Sequence, residues 1–293
     1  LEHNCKPQTS NLLLALAKMK DIVHQILNEK LMTAQTSLWT SFTKYYVDAQ
    51  LNVTVSIGNA VFNYGFDYIG FSSLPLYGNN EHIFNSIALL AGSGFTPLIC
   101  GPREIRKTNL IIDFAHMIGK QPFVFSCVSH SSFDRIQQMA ENVQKINSFL
   151  IIKDLFLLTP TVLNQVNVML TNNNRNGDFS IFATTSTESY ISEKYRIAFR
   201  PILIQNVDIL YCLKSIFIAH GIHDNNEISG KIETLISLIK ESFDPPLSSC
   251  LTPNVIIKVL RQKSLINSNS LELEIHQRLR EYFKDVLGVD DLL

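Results

Sequence analysis

The sequence lacks the features that define several large classes of protein. Its 25 Lys and Arg residues are balanced by 26 Asp and Glu residues, so the formal net charge is −1. A chain with that balance has no strong field to attract nucleic acid or an acidic membrane surface. Its longest apolar stretches are also far shorter than the roughly 20 residues of a membrane span. We therefore expect neither a nucleic-acid partner nor a membrane partner.

Cysteine and histidine are too scattered to suggest a metal centre. The five cysteines include no C-x-x-C pair, and the eight histidines are spread along the chain. Zinc sites are recognised by closely spaced Cys and His ligands, so no such site is expected. Cysteines that lie inside apolar runs favour a reducing, intracellular compartment.

Two further absences concern catalysis and targeting. The G-x-S-x-G turn of serine hydrolases does not occur. Residues 1–10 are polar and have neither the basic start nor the apolar core of a signal peptide. Because the chain nevertheless begins with Leu1 rather than methionine, we expect it to be a piece of a longer protein.

What the sequence does contain is an alternation of strand-like and helix-like segments. A helix is predicted over 11–30 and a half-exposed strand over 51–57, and a connector follows over 60–73. Short apolar strands then alternate with amphipathic helices: helices at 81–91, 107–118, 133–146 and 160–170, and strands at 96–100, 122–127, 149–152 and 179–184. A polar turn is predicted over 172–178. After Pro201 only helices are predicted, at 207–220, 227–243, 254–261 and 271–287. This order implies an α/β protein with a mostly parallel sheet and helices on both faces.

The segment between the strand at 96–100 and the helix at 107–118 carries the main chemical signal. It reads Gly101-Pro102-Arg103-Glu104-Ile105-Arg106-Lys107-Thr108 and compares with the phosphate-binding pattern G-x-x-x-x-G-K-[ST]. In such a loop, backbone N–H groups and the helix N-terminus surround the phosphates, the Lys neutralises their charge, and the Thr hydroxyl holds Mg²⁺. Arg106 replaces the second glycine, and a side chain in a left-handed conformation costs about 1–2 kcal/mol. Taken alone, the broken motif favours an ordinary strand-to-helix turn.

The strand at 149–152 is the next place where an ATPase would show itself. P-loop ATPases place a metal-binding Asp at the end of this strand, and AAA+ ATPases add a Glu that polarises water. Here the strand is followed by Lys153 and Asp154. A charged Lys cannot ligate Mg²⁺, while Asp154 could replace the Glu with a shorter side chain. Both residues are equally typical of the solvated end of a buried strand.

The order of these features resembles the first AAA+ module of dynein heavy chains. The resemblance covers residues 20–240 and is most specific in Phe62–Gly70, which is similar to F-x-Y-G-Y-E-Y-L-G, and in Ala198–Pro201, which is similar to L-F-R-P. Weaker matches occur before and within the phosphate loop: Trp39 with Tyr45-Tyr46 is matched to W-x(5)-Y-Y, and Gly101–Thr108 is matched to G-P-A-G-T-G-K-T. Further weak matches follow the loop: Val124–Cys127 is matched to V-F-N-C, Phe133-Asp134 to L-D-Y, Ile152–Leu158 to F-D-E-F-N-R-I, and Val162-Leu163 to V-L.

The resemblance implies a fold and a division of the chain. The fold would be that of a P-loop NTPase of the AAA+ type, a three-layer parallel-sheet core followed by a small helical subdomain. Residues 1–58 would form the end of a dynein-type linker, residues 59–205 the large α/β subdomain, and residues 206–293 the small helical subdomain. In the family, six such modules form a ring within one chain, and the first is normally the main site of ATP hydrolysis.

The chain departs from the family at the positions that perform hydrolysis. Glu104 and Arg106 occupy glycine positions of the loop, the Mg²⁺ Asp falls on Lys153, and the catalytic Glu falls on Asp154. Asp154 is thus the one catalytic candidate. Because phosphoryl transfer depends on positioned positive charge and an oriented water, we expect a pseudo-ATPase. ATP or ADP, where it binds residues 101–108, would bind weakly, and Mg²⁺ would be held poorly.

Two outlying parts of the family's nucleotide site are also altered. The asparagine that senses the γ-phosphate falls on Thr184 or Thr185, and the P-L-T-D-R segment falls on Gly78–His82, which does not match. Arg200 could reach a neighbouring module, although fixing the turn at Pro201 is the simpler role.

These features predict a structural, or weakly nucleotide-binding, AAA+ module of a microtubule-based motor. Neighbouring AAA+ modules of the same heavy chain would be its direct partners, and intermediate chains, light chains and microtubules would be reached through the full-length protein. The expected location is the cytoplasm and cytoskeleton, with the cilium or axoneme as a second candidate. Three alternatives stay open: an active Mg-ATP-hydrolysing motor module, a free-standing interaction or scaffold protein that keeps the fold only, and a decayed gene copy.

Overall fold

The computed structural model describes residues 7–28, 39–40, 42–67, 81–102, 107–176, 181–186, 191–204, 210, 213–214, 217–218, 227–242, 277–278 and 280–281. The chain forms two compact units. One comprises Leu1–Glu29, Leu76–Asn79 and Val207–Leu293, and the other comprises Lys30–Pro75 and Asn80–Asn206. The three-part division predicted from the sequence stays a prediction.

A five-stranded parallel sheet forms the core of the second unit. Its strands, in chain order, are β4 (Thr96–Gly101), β5 (Pro122–Ser126), β6 (Phe149–Lys153), β7 (Ile181–Ser186) and β8 (Phe199–Leu203). Their order across the sheet is β5-β6-β7-β4-β8, and every neighbouring pair is parallel. The predicted α/β fold with a mostly parallel sheet is therefore confirmed.

Strand β8 corrects the expectation that strands end before Pro201. Phe199 pairs with Thr96, and Pro201 pairs with Leu98. Proline has no N–H to donate to a ladder and is therefore confined to edge strands, and among the described strands β8 lies at the edge of the sheet with β4 as its one neighbour. An edge position therefore accommodates a residue that argues against a strand in the sequence.

Helices cover both faces of the sheet, as the alternating pattern predicted. On one face lie α2 (Glu81–Gly92) and α3 (Lys107–Ile118), where the Phe114 ring contacts the rings of Phe149 and Phe182 at 6.4 and 5.8 Å between centroids. On the other lie α4 (Phe133–Lys145) and α5 (Pro160–Asn176). Their buried residues pack against β6 and β7 in one apolar cluster: Ile136, Ala140, Val143, Leu163, Val166 and Leu170 against Leu150, Ile152, Ile181 and Ala183.

Helix α5 is longer than predicted. The polar cluster 172–178 was expected to be a turn, but the helix continues to Asn176, and residues 177–180 lie outside the described part of the chain. Asparagine is only moderately unfavourable in a helix. The Thr171 hydroxyl also donates to the Asn167 carbonyl one turn earlier, at 2.8 Å, which satisfies its polar side chain within the helix.

A small antiparallel sheet precedes the core. It consists of β1 (Lys44–Val47), β2 (Val53–Ile57) and β3 (Ala60–Asn63), in that order. Strand β2 confirms the predicted strand, whereas β3 occupies the first four residues of what was expected to be a connector. A two-residue Gly58-Asn59 turn joins β2 to β3, with Gly58 at φ +59°, and such a dipeptide between two alternating segments is a hairpin signal.

The first unit is described only in part. Helix α1 (Pro7–Asn28) and helix α6 (Glu227–Ser242) confirm two predicted helices, and Ile22, Phe217 and Ile232 are among its buried residues. The predicted helix at 254–261 and most of the one at 271–287 lie outside the described residues. Of the helices that are described, none combines the length and apolarity needed to span a membrane.

Candidate phosphate site

The predicted phosphate loop lies at the carboxyl edge of the parallel sheet. Strand β4 ends at Gly101, and α3 begins at Lys107, with Thr108 in its first turn. Pro102 is exposed, and residues 103–106, which include the predicted Arg103, Glu104, Ile105 and Arg106, lie outside the described part of the chain. The strand-loop-helix context that the motif requires is therefore present.

Gly101 has a packing role that is independent of any ligand. A Cβ atom on this residue would lie 2.8 Å from the backbone oxygen of Ile204. The same Ile204 donates its N–H to the Cys100 carbonyl at 2.8 Å, just beyond the end of β8. Because real Cβ atoms do not approach backbone oxygens so closely, the sheet itself requires glycine here.

Lys107 uses its ammonium group to bind the loop's own backbone. Its Nζ donates to the carbonyl oxygens of Gly101 at 2.8 Å and Pro102 at 2.6 Å, and only 6% of the residue is exposed. Hydrogen bonds from a charged donor are the stronger kind. The ammonium also lowers the pKa of the nearby Cys100 thiol, although burial outweighs it and raises that pKa to about 11. A phosphate would have to compete with the two carbonyls for this charge.

Strand alternation places Lys153 on the same face of the sheet as α3. Phe149 contacts Phe114 of that helix, and successive side chains of a strand point to opposite faces, so Lys153, four residues later, shares the face of Phe149. Lys153 is exposed at the end of β6, whereas the four residues before it are buried. The position that should carry a metal-binding carboxylate thus presents an ammonium toward the helix that follows the loop.

Asp154 leaves the strand with an unusual backbone. Its φ of 56° and ψ of 50° are left-handed, a conformation that Asp tolerates better than most residues. Its N–H donates to the Thr184 Oγ1 at 3.3 Å. Burial raises the pKa of the Cys127 thiol to about 12, and the negative charge of the Asp154 carboxylate contributes to the rise. The backbone of Asp154, the catalytic candidate, is therefore hydrogen-bonded to β7. Its charge affects the pKa of the Cys127 thiol, which follows β5.

The two sensor candidates lie on opposite faces of β7. Thr184 follows Phe182, which contacts Phe114 of α3, by two residues, so it shares the face of α3. Thr185 follows Ala183, which belongs to the cluster under α4 and α5. Both threonines are buried. Only Thr184 therefore lies on the face of α3, the helix that follows the phosphate loop. Once the strand was known, the alternation of its side chains could have distinguished the two threonines.

Mg²⁺, the metal that this fold implies, does not fit the side chains at this edge. In the ranges that the structure describes, no group of three or more His, Cys, Asp or Glu residues could hold a metal ion. Mg²⁺ at a nucleotide is usually bound through the phosphates and one or two protein carboxylates, and at the end of β6 an ammonium is found instead. Thr108, partly buried at the start of α3, is the one family metal ligand that is retained.

The connector that resembles the dynein pattern is hydrogen-bonded to the carboxyl-terminal end of α3. Gly65 donates its N–H to the Ile118 carbonyl at 2.9 Å, and a Cβ there would lie 2.5 Å from the Gly119 oxygen. The Tyr64 ring lies over Gly119, whose own Cβ would be 2.5 Å from it. Asp67 accepts the Gln121 N–H at 2.8 Å. Tyr68, Ile69 and Gly70 are outside the described residues. This contact was not predicted from the sequence.

Arg200 acts within its own unit. One of its guanidinium nitrogens donates to the Arg196 carbonyl, and its Cζ lies 4.6 Å from the centroid of the Phe95 ring. These contacts support the simpler of the two predicted roles, which is to fix the chain next to Pro201.

Comparison with known proteins gives distant relatives and structural neighbours. The chain is 22% identical over 231 residues to "Dynein heavy chain-like protein 2" of Plasmodium falciparum, a match that covers 70% of this chain and 4% of that protein. It thus spans a small fraction of the relative's length. No protein-family model matches the chain.

The structural neighbours include two chains of the Thermotoga maritima RuvB Holliday junction branch migration motor, one of them a variant. The first is 14% identical with a TM-score of 0.47, and the second is 13% identical with a TM-score of 0.46; each match covers 73% of both chains. The fold assignment rests instead on the parallel strand order, the flanking helices and the position of the loop. The chain is an α/β protein of the AAA+ P-loop type with a distant dynein-like relative.

Proposed function

We propose that this chain is an AAA+ module of a dynein-heavy-chain-like protein whose ATP site is structural, or binds nucleotide weakly, without efficient hydrolysis. The observation that carries the proposal is the end of β6. Lys153 lies there in the place of a metal-binding carboxylate, and it shares the face of the sheet on which α3 begins with Lys107. A charged lysine cannot bind Mg²⁺.

The arrangement of the other site residues supports the loss of hydrolysis. Phosphoryl transfer needs metal and lysine charge on the phosphates together with an oriented water. The Lys107 ammonium is engaged by two backbone carbonyls. A nucleotide would gain its binding energy from a site that already uses part of its charge internally, so its affinity is expected to be low.

The motor context rests on the connector and on the distant relative. The dynein-like segment from Tyr64 to Asp67 packs on the end of α3, and the relative is named as a dynein heavy chain-like protein. In this proposal the direct partners are neighbouring AAA+ modules of one heavy chain. Intermediate chains, light chains and microtubules are reached through the whole protein, in the cytoplasm and cytoskeleton or in a cilium.

The test is phosphate release from Mg-ATP by the purified chain. We expect no turnover above that of the Lys107→Ala variant. Since Lys107 also binds its own loop, Asp154→Asn is measured beside it, with circular dichroism to show that each variant is folded. Turnover in the wild type that disappears in both folded variants would reject the proposal and establish an active ATPase.

An active module is the second candidate, and one observation favours it. The Asp154 N–H is bonded to Thr184, so the acidic candidate and the sensor candidate that faces α3 lie next to each other. The same assay decides between the two candidates.

A further inference from the structure

One edge of the small antiparallel sheet is open and carries exposed apolar side chains. Among the described strands, β1 has β2 as its one neighbour. Tyr45, Tyr46 and Val47 are 53%, 55% and 63% exposed. A strand edge of this kind is a template for pairing with another chain unless a charge, a proline or a bulge prevents it. The charges here are Lys44 at the start of β1 and Asp48 directly after its end, so pairing depends on what these two residues meet.

The ladder between β1 and β2 determines which backbone groups point toward the open edge. The Asp48 N–H donates to the Asn52 carbonyl at 3.0 Å, which continues the β1–β2 register. Every second residue of an antiparallel strand bonds to the same neighbour, so Tyr46 also directs its N–H and C=O toward β2. Tyr45 and Val47 direct theirs away from β2, toward the open edge.

Two copies of the chain can pair antiparallel through this edge in few registers, and the charges distinguish them. The outward-facing residues of one copy must lie opposite those of the other, so a two-fold axis passes beside Tyr45, Tyr46 or Val47. An axis beside Tyr46 places Lys44 opposite Asp48 of the second copy. An axis beside either of the other two residues leaves both charges opposite uncharged residues. Charge complementarity therefore selects the Tyr46 register.

The other pairs in this register are also favourable. Tyr46 lies opposite Tyr46 of the second copy, and each Tyr45 lies opposite a Val47. Aromatic pairs, aromatic–β-branched pairs and opposite-charge pairs all stabilise antiparallel strands. Every residue from Lys44 to Asp48 therefore meets a complementary residue.

The Asp48 carboxylate can accept the lysine although it also bonds within its own turn. Its Oδ1 accepts the N–H groups of Gln50 and Asn52 at 2.8 Å, and its Oδ2 accepts the Asn52 side-chain amide at 2.9 Å. A carboxylate oxygen has two lone pairs, so Oδ2 can accept a second bond. The Lys44 Nζ lies 5.0 Å from the centroid of the Trp39 ring, a contact that is weak at exposed sites and that an ion pair can replace.

We propose that the β1 edge binds a second copy of this chain, and that the two small sheets join across a two-fold axis beside Tyr46. Each Tyr45–Val47 pair exchanges two backbone hydrogen bonds, and Lys44 pairs with Asp48 on both sides of the axis. The interface is the same patch on both copies, as two-fold symmetry requires. It is short, so the dimer is expected to be weak. The inference goes beyond the proposed function and does not depend on nucleotide binding.

The first experiment measures the mass of the purified chain by sedimentation velocity over a range of concentrations. The mass should rise from 33.2 kDa toward twice that value. Lys44→Glu should weaken dimerisation by about tenfold, because each dimer contains the pair with Asp48 twice and like charges oppose pairing. Lys145→Glu makes the same change of charge at an exposed position of α4 and should leave the dimer unchanged.

The second experiment tests the register by disulfide formation. In the proposed dimer the two Tyr46 residues form a non-hydrogen-bonded pair, whose Cα atoms are about 4.5 Å apart, within the range of a disulfide. Tyr46→Cys should therefore form a disulfide-linked dimer in oxidised glutathione, measured on a non-reducing gel. Wild-type chain oxidised in parallel gives the background from the native cysteines.

Asn63→Cys is the matched control for the disulfide. Asn63 is exposed, and it shares the face of Tyr46 because both are paired with Thr54. It lies on β3, at the other edge of the small sheet. In the proposed dimer the two copies of this position are about 24 Å apart, five strand spacings, so they should not be linked.

Each result decides for or against the dimer, with circular dichroism to show that every variant is folded. Dimers that Lys44→Glu weakens and Lys145→Glu does not, together with preferential linking of Tyr46→Cys, would support it. A chain that stays monomeric up to about 0.5 mM would overturn it. So would a Lys44→Glu dimer as stable as the wild type, or a Tyr46→Cys chain that is linked no faster than Asn63→Cys.

Discussion

Replacing Lys107 by methionine should destabilise the unit that contains the parallel sheet, even with no nucleotide present. Methionine keeps most of the apolar stem and removes the ammonium. The change therefore breaks the bonds to the Gly101 and Pro102 carbonyls, at 2.8 and 2.6 Å, with little change in packing. A lysine that served only to bind phosphate would show no such effect.

The expected magnitude follows from the two carbonyls and from the burial of the charge. Pro102 is exposed, so water can replace the ammonium at its oxygen, whereas Gly101 is buried, and a buried carbonyl without a partner costs about 1–3 kcal/mol. Lys107 is only 6% exposed, so removing its ammonium returns part of the cost of burying the charge. We expect a net loss of about 1–2 kcal/mol.

Urea unfolding followed by the fluorescence of Trp39, the only tryptophan, measures this loss, since Trp39 belongs to the same unit. For a urea dependence of about 2 kcal/mol per molar, the midpoint should fall by roughly 0.5–1 M. The control is Lys153→Met, which removes an exposed ammonium from the same edge of the sheet and should shift the midpoint little. Equal midpoints for Lys107→Met and Lys153→Met would refute the structural role of Lys107.

Three further predictions concern other parts of the molecule. The Asp48 carboxylate accepts several hydrogen bonds, which lower its pKa. The bond from the Asn52 side chain contributes most. Its stabilisation of the β1–β2 turn should therefore be full above pH 3.8 and lost as the pH falls below it, so wild type and Asp48→Asn should converge in urea midpoint in acid. The Cys127 thiol, with a pKa raised to about 12, should resist iodoacetamide at pH 8 by peptide mapping, and rapid labelling of the folded chain would contradict its burial. Gly65→Ala, whose Cβ would lie 2.5 Å from a backbone oxygen, should cost about 1–3 kcal/mol in urea unfolding, while Gly230→Ala, with nothing within 4 Å, should not destabilise its helix.

Much of the core could be predicted because local signals and tertiary structure agree there. Helix α3 runs from Lys107 to Ile118, as its apolar spacing predicted. Of the two strands that were missed, β8 depends on a partner distant in sequence, whereas β3 follows its partner β2 after the two-residue Gly58-Asn59 turn. Strand β8 contains Pro201 and is defined by its pairing with β4, and β3 is defined by its pairing with β2. Neither pairing can be read from the strand's own residues.

The sequence could predict where the candidate site lies, but not which partners its side chains bind or which backbone conformation its residues adopt. The order of strand, loop and helix located Gly101, Lys107 and Lys153 correctly at one edge of the sheet. That Lys107 binds two carbonyls of its own loop is invisible in the sequence, because a motif gives the residue type and not the partner of its side chain. The left-handed backbone of Asp154 is likewise set by the surrounding fold. Whether these residues bind nucleotide stays a prediction.

The residues that match the phosphate motif are the ones that the fold itself uses. Gly101 is required by the close approach of Ile204, and Lys107 binds the carbonyls at the end of β4. The position that departs most from an ATPase, Lys153, is exposed at a strand end, where a change of side chain costs the fold little. A site in which the structurally needed residues persist and the purely chemical ones do not is what loss of hydrolysis with retention of the fold would produce. A matching Gly and Lys therefore cannot by themselves argue for ATP turnover in this chain, and the residue at the end of β6 is the more informative one.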